Sequence, residues 1–293
     1  MSLFPLPFFG APVAVAGPVV VLENTTNGLV SLPAIAAGTG VETPTLLALV
    51  VVAFLAGIGI TAIGPGGIFT TVGLAGLTAL PASTVAGTVH VAYVFAGLLG
   101  SYVYFRSGEL TGEGRQLTIV LSAASVLGAT GGALVNTALP EGVFDLLLGG
   151  FCVLVGGIIA YRERQGLGPA FALDAETPGG RVAVAAIGFV VGLLGGLLGI
   201  GGPVIAVPAL VISGTPMLVA LAAAQVQSIV LSGTAAATYL AAGTVSPALA
   251  AVVGVPQLVG VVIGWGVAHR VPERQLKAVL AVVLVVIGPL LAF

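Results

Sequence analysis

Two stretches of the chain, Thr43 to Phe105 and Val182 to Ala268, contain no Asp, Glu, Lys or Arg. Each is far longer than the roughly 20 apolar residues that one membrane-crossing helix needs, so each has to fold back on itself. A backbone surrounded by lipid must satisfy its own hydrogen bonds, and that selects helices. Breaks at Gly, Pro and charged residues divide the first half into apolar segments near 44–63, 66–80, 83–105, 116–138 and 143–161. The second half divides into 182–198, 202–213, 217–241, 246–268 and 275–292. The second segment of each half, about 12 to 15 residues, is too short for a comfortable crossing at 1.5 Å per residue and reads as a half-helix.

The two halves are copies. Gly64-Pro65-Gly66-Gly67 recurs as Gly199-Ile200-Gly201-Gly202, and at the same offset of 135 Phe54 meets Phe189, Gly57 meets Gly192, Pro81 meets Pro216, Tyr104 meets Tyr239 and Gly108 meets Gly243. An offset of 132 then aligns Leu139-Pro140-Glu141 with Val271-Pro272-Glu273. Paired hydrophobic segments interrupted by Gly and Pro at corresponding places are the sequence pointer to the binding site of a secondary transporter.

Sidedness follows from the few cations. Arg106 and Arg115, then Arg162, Arg164 and Arg181, then Arg270, Arg274 and Lys277 fall in three connectors, which the positive-inside rule places in the cytoplasm. Segment 1–43, the turns at 139–142 and 242–247, and the C-terminus then face outward. Equivalent connectors of the two halves lie on opposite sides, so the repeats are inverted. The expectation is an all-α polytopic membrane protein of two inverted-topology repeats, each of about five hydrophobic segments including a short half-helix after a Gly-x-Gly-Gly turn. Its parts are an N-terminal segment 1–43, mostly outside, repeat 1 at 44–161, a cytoplasmic linker 162–181 and repeat 2 at 182–293.

Composition agrees and removes whole classes. The chain of 293 residues is 58% hydrophobic and 6% charged, with a mean hydropathy of +1.22, whereas about a quarter of a soluble domain is charged. A net charge of -2 without a basic cluster leaves no footprint for nucleic acid. The single Cys152 reads as a packing residue, and the first 22 residues, with four prolines and no basic start, do not read as a cleaved signal peptide. No cofactor and no metal cluster is expected. The partners are a small anionic substrate and the lipid bilayer, with homo-oligomerisation open.

The glycine turns carry the candidate chemistry. A helix that starts at Gly66 or Gly201 offers unpaired N–H groups and the positive end of its dipole to an anion. The first-half site is therefore Gly64, Gly66 and Gly67 with Thr70 and Thr88, and the second-half site Gly199, Gly201 and Gly202 with Gln225 and Ser228. A Cβ at Gly66 or Gly201 is expected to block either a left-handed backbone or the approach of substrate to the amides. His90, the sole ionisable side chain of its stretch, aligns with Gln225 and is the candidate for proton coupling. Gln225, Ser228 and Ser232 share a helical face. Gly131-Gly132 and Gly149-Gly150 are assigned to packing. No catalytic constellation is present, so the chain is read as a non-enzyme.

The second turn, Gly199-Ile-Gly-Gly-Pro-Val-Ile-Ala-Val-Pro208-Ala-Leu followed by Pro216 and Ala220, together with Arg270-Val-Pro-Glu-Arg-Gln-Leu-Lys277, resembles the TauE/SafE sulfite exporter family, also called the toluenesulfonate uptake permease family. The resemblance covers roughly 44–293. It departs at Thr88-Val89 and Ala223-Ala224, where the family often has Thr-Ser, and at Gly73, where it often has Pro. It implies a secondary transporter that moves a small sulfur-containing oxyanion, such as sulfite or an organosulfonate, across the cytoplasmic membrane by alternating access with ion or proton coupling. A passive anion channel and a non-transporting membrane scaffold are the alternatives.

Overall fold

A computed structural model describes residues 32–109, 113–140, 142–166 and 177–272, and positions 274, 275, 278, 282, 285 and 286. Most of segment 1–43, the centre of the linker 162–181 and most of the apolar run 275–292 lie outside the described residues. The helices are α1 (Leu32–Thr39), α2 (Thr43–Ala62), α3 (Ile68–Leu77) after a 3₁₀ turn at Pro65–Gly67, α4 (Ala82–Ser107), α5 (Glu113–Thr137), α6 (Val143–Gln165), α7 (Pro178–Leu198), α8 (Pro203–Ile212), α9 (Met217–Ala241) and α10 (Pro247–Ala268). Seven of them, α2, α4, α5, α6, α7, α9 and α10, are long and apolar enough to cross a membrane. The protein is a multi-pass α-helical membrane protein.

Local chemistry fixes the helix ends. Proline stands at the first or second position of α2, α7, α8 and α10, where its missing N–H is no loss. The Thr177 and Ser246 hydroxyls accept the N–H groups of Gly180 and Leu249 as N-caps. The second apolar segment of each half is short as expected, since α3 and α8 have 10 residues each. The helix α1, inside the segment assigned to the N-terminal region, has no counterpart in the sequence reading.

Glycine then decides which helices meet. α2 lies on α10 and α7 lies on α5, in each case running parallel. At the first crossing a Cβ on Gly57 would fall on the Gln257 carbonyl and one on Gly260 on the Phe54 carbonyl. At the second, a Cβ on Gly192 would fall on the Ser125 carbonyl and one on Gly128 on the Phe189 carbonyl. Under the offsets of 135 and 132 these are one pair of contacts made twice. The first helix of each repeat packs against the fourth helix of the other, so neither repeat is a separate body. Without a hydrophobic drive between helices in lipid, such close backbone approach supplies the dispersion energy of association. Gly132 belongs to this set, against the Leu193 carbonyl, whereas a Cβ on Gly150 would meet nothing within 4 Å, which corrects its assignment to packing.

α4 and α9, equivalent helices of the two repeats, form the centre. They run antiparallel, with His90 level with Ser232, Gly97 with Ile229 and Gly87 with Tyr239. α3 folds back along α2, because Gly66 faces Gly59 and Gly73 faces Val52.

Gly57→Leu and Gly192→Leu are expected to separate the two crossings. Overpacking of this kind costs about 1–3 kcal/mol or more. Each variant should lose monodispersity on size-exclusion chromatography or melt several degrees lower, whereas Gly150→Leu should behave like the parent.

Candidate functional site

α2 and α7 stop inside the protein, where no water reaches the carbonyls that a helix C-terminus leaves free. Side chains of other helices take them, four of the six from the opposite repeat. At α7 the Gly195 carbonyl, which already receives the Ile200 N–H, also accepts His90 Nε2 at 3.1 Å, Gly196 accepts the Tyr239 hydroxyl at 2.7 Å and Leu197 accepts Asn136 Nδ2 at 2.6 Å. The Thr71 hydroxyl donates to the Gly199 carbonyl. At α2 the Ile60 carbonyl accepts Gln225 Nε2 at 3.1 Å and Thr61 accepts the Tyr104 hydroxyl. Ile60 and Gly195 correspond, as do Thr61 and Gly196, Tyr104 and Tyr239, and His90 and Gln225. The alignment of His90 with Gln225 therefore has a physical cause: both are N–H donors to the same carbonyl position of a partner helix.

This bonding spends His90. Gly195 O can only accept, so the Nε2 tautomer carries the proton, and Nδ1 at 3.2 Å accepts from the Ser232 hydroxyl. The ring also stacks on Tyr239 at 6.1 Å. A neutral, doubly bonded imidazole meets the requirements of a structural donor.

Thr71, Tyr93 and the two glycine turns come together. Gly64 (φ 104°) and Gly199 (φ 63°) hold the left-handed conformations, so the backbone that requires glycine is at the first position of each turn and not at Gly66 or Gly201. α3 begins beside Gly199, through Thr71, and Gly64 lies against Val207 and Pro203 at the start of α8. The two short helices thus present their N-termini to one another. Tyr93 stands between them: its hydroxyl donates to Gly67 O, and its ring is 3.5 Å from the Cβ position of Gly67 and 3.6 Å from that of Gly201.

The turns differ in what they leave free. Gly66 is pressed on the Gly59–Ile60 backbone, with no room for a methyl group. Gly201 has room, since its nearest neighbours, Pro203, Ser228 Oγ and Tyr93, all lie 3.6 Å from its Cβ position. Among the described residues no acceptor meets the N–H of Gly201 or Gly202, and the Ser228 hydroxyl has no hydrogen-bond partner. Two amides and a hydroxyl, all buried, are thus grouped at the N-terminus of α8.

Two more of the predicted residues bond to the α10 end of the protein. Thr88 Oγ1 accepts the Ser246 N–H at 3.0 Å, while Ala86 and Val89 beside it pack on Gly199. Thr70 donates to Gln257 Oε1 at 2.9 Å, beside the α2–α10 crossing. Tyr93, Asn136 and Gln257, all at most 2% exposed, lay outside the predicted set. Tyr93 corresponds to Ser228 at the offset of 135, and that pairing was the signal available for it.

Residues 49–291 match the family described as sulfite exporter TauE/SafE. The chain belongs to this family. Comparison with curated proteins and with solved structures returned no match. The members of this family are membrane transporters, and the seven spanning helices of this TauE/SafE chain fit that description.

His90→Gln keeps an N–H donor toward Gly195 and is expected to melt within a few degrees of the parent. Gln225→Leu leaves the Ile60 carbonyl bare, because the Gly64 N–H has already turned to Gly59 O. That loss costs about 1–3 kcal/mol. Thermal unfolding in detergent checks both, and a transport pH profile unchanged in His90→Gln separates a capping histidine from a proton carrier.

Proposed function

We propose that the chain is a secondary transporter for a small sulfur-containing oxyanion, bound at the N-terminus of α8. The observation that carries this is the set of unpaired donors, the N–H groups of Gly201 and Gly202 and the hydroxyl of Ser228. An oxyanion supplies the acceptors these groups lack, and the positive end of the α8 dipole adds to the attraction. A site of amides and a hydroxyl binds without a buried cation, so the anion is held and also released. Gly64, Gly66 and Gly67 shape the opposing turn, and Thr71 and Tyr93 hold the two turns in register.

Alternating access rests on the inverted repeats. The antiparallel pairing of α4 with α9 and the repetition of the α2–α10 crossing at α7–α5 support that relation. The placement of basic residues supports a cytoplasmic-membrane location with 1–43 and the C-terminus outside. The bonding of His90 favours ion coupling carried by other groups over proton carriage by this ring. The cross-packed repeats favour a gated transporter over a permanently open channel, since every residue at the turns is buried.

The test separates binding from packing. Gly201→Ala fits the space available, so it should fold, and together with Ser228→Ala it should weaken sulfite binding by about tenfold or more, roughly 1.4 kcal/mol. Gly66→Ala should instead lose stability. Equal sulfite affinity in the parent and in folded Gly201→Ala and Ser228→Ala would move the site away from α8.

A further inference from the structure

Equivalent residues of the two central helices flank the glycine turns, and they differ in size. Tyr93 of α4 and Ser228 of α9 correspond at the offset of 135, and a ring carbon of the first and the hydroxyl oxygen of the second each lie 3.6 Å from the Cβ position of Gly201. The Tyr93 hydroxyl is engaged elsewhere. It donates to Gly67 O, while the Thr71 hydroxyl, 3.1 Å away, gives its own proton to Gly199 O. Each hydroxyl carries one proton, so neither has a donor left for a ligand. What Tyr93 turns toward Gly201 is carbon, the Cδ2 edge of its ring. The ring is held in place: its hydroxyl is anchored at Gly67, and the His90 ring, one turn earlier on α4, meets it edge to face with centroids 6.0 Å apart. Pro203 closes a further side of the same space at 3.6 Å. Tyr93 is thus a wall at the second turn. The duplicated scaffold does not itself require this bulk, because the counterpart position is filled by a serine.

We propose that the Tyr93 ring sets the size limit of the α8 anion site, so that the protein takes a compact inorganic oxyanion and refuses an arylsulfonate. This rests on the α8 site proposed above and adds which oxyanions enter it. Sulfite and an arylsulfonate offer the same three oxygens on sulfur to the Gly201 and Gly202 amides and to Ser228. Those donors cannot separate the two ligands by hydrogen bonding, and the choice falls to space. A close-packed wall gives way to a larger ligand only at the expense of its own contacts. Here that means breaking the Tyr93 bond to Gly67 O, which also holds the first turn against the second.

Calorimetric titration of the purified full-length protein in detergent with sulfite and with p-toluenesulfonate, at one pH, tests this. The parent should bind sulfite at least about tenfold more tightly than p-toluenesulfonate. Tyr93→Ser, which copies the counterpart Ser228, and Tyr93→Val should each reduce that preference by about tenfold or more. Tyr93→Phe keeps the ring and should keep the parental preference, whatever it does to the absolute affinities. Monodispersity on size-exclusion chromatography qualifies each variant, and either folded small-residue variant suffices. Equal affinity of the parent for both anions, a parental preference in a folded Tyr93→Ser or Tyr93→Val, or a preference lost in Tyr93→Phe overturns the proposal. A parent that binds no sulfite sinks the α8 site and this size limit together, whereas sulfite binding that Gly201→Ala and Ser228→Ala weaken, with a preference indifferent to Tyr93, sinks the size limit alone.

Discussion

Everything near the centre of this protein follows from two helices that end where there is no water. α2 and α7 finish inside the bundle, and each leaves carbonyls that would cost about 1–3 kcal/mol apiece if left bare. The cost is avoided by side chains lent from neighbouring helices, four of the six from the other repeat. His90, Tyr239, Asn136 and Thr71 serve α7, and Gln225 and Tyr104 serve α2. The donors come from α3, α4, α5 and α9, while glycine lines the α2–α10 and α5–α7 crossings that place α2 and α7 among them.

The helices were legible because lipid imposes length and polarity on every segment, and the long charge-free runs between Thr43 and Phe105 and between Val182 and Ala268 leave few ways to divide the chain. The half-helices were legible because α3 and α8 fall short of a span. Side-chain roles were much harder to read. A histidine in an apolar stretch has the same sequence signature whether it carries a proton or caps a carbonyl, and its two bonds, to Gly195 and Ser232, are visible only in the structure. The duplication held the missing information, since the partner of His90 is a glutamine, which can donate an N–H yet cannot titrate. The partner of Thr88 was illegible for a related reason: nothing in its place along α4 points to Ser246, which meets it from 158 residues away.

The two copies have diverged where function would demand it. Tyr93 occupies the position matched by Ser228, and the bulk of its ring fills the space between the turns from one side only. Gly66 is closed against Gly59, while Gly201 keeps a methyl-sized opening. The methyl-sized opening and the unpartnered hydroxyl of Ser228 thus occur at one turn and not at the other. An anion near the pseudo-symmetry axis would otherwise face two equivalent half-sites and a choice between them.

The α8 turn has no buried ionised group. Its unpaired groups include three donors, Gly201 N–H, Gly202 N–H and the Ser228 hydroxyl, and among the described residues no Lys or Arg stands there. A buried arginine would hold an oxyanion through charge-assisted bonds roughly twice as strong as neutral ones and would slow its release. Amide donors give the weaker grip that turnover needs. The free-energy difference between an occupied and an empty site then has to come from geometry. That geometry is set by the Gly199–Gly202 backbone, which Asn136 and Thr71 grip through the carbonyls of Leu197 and Gly199.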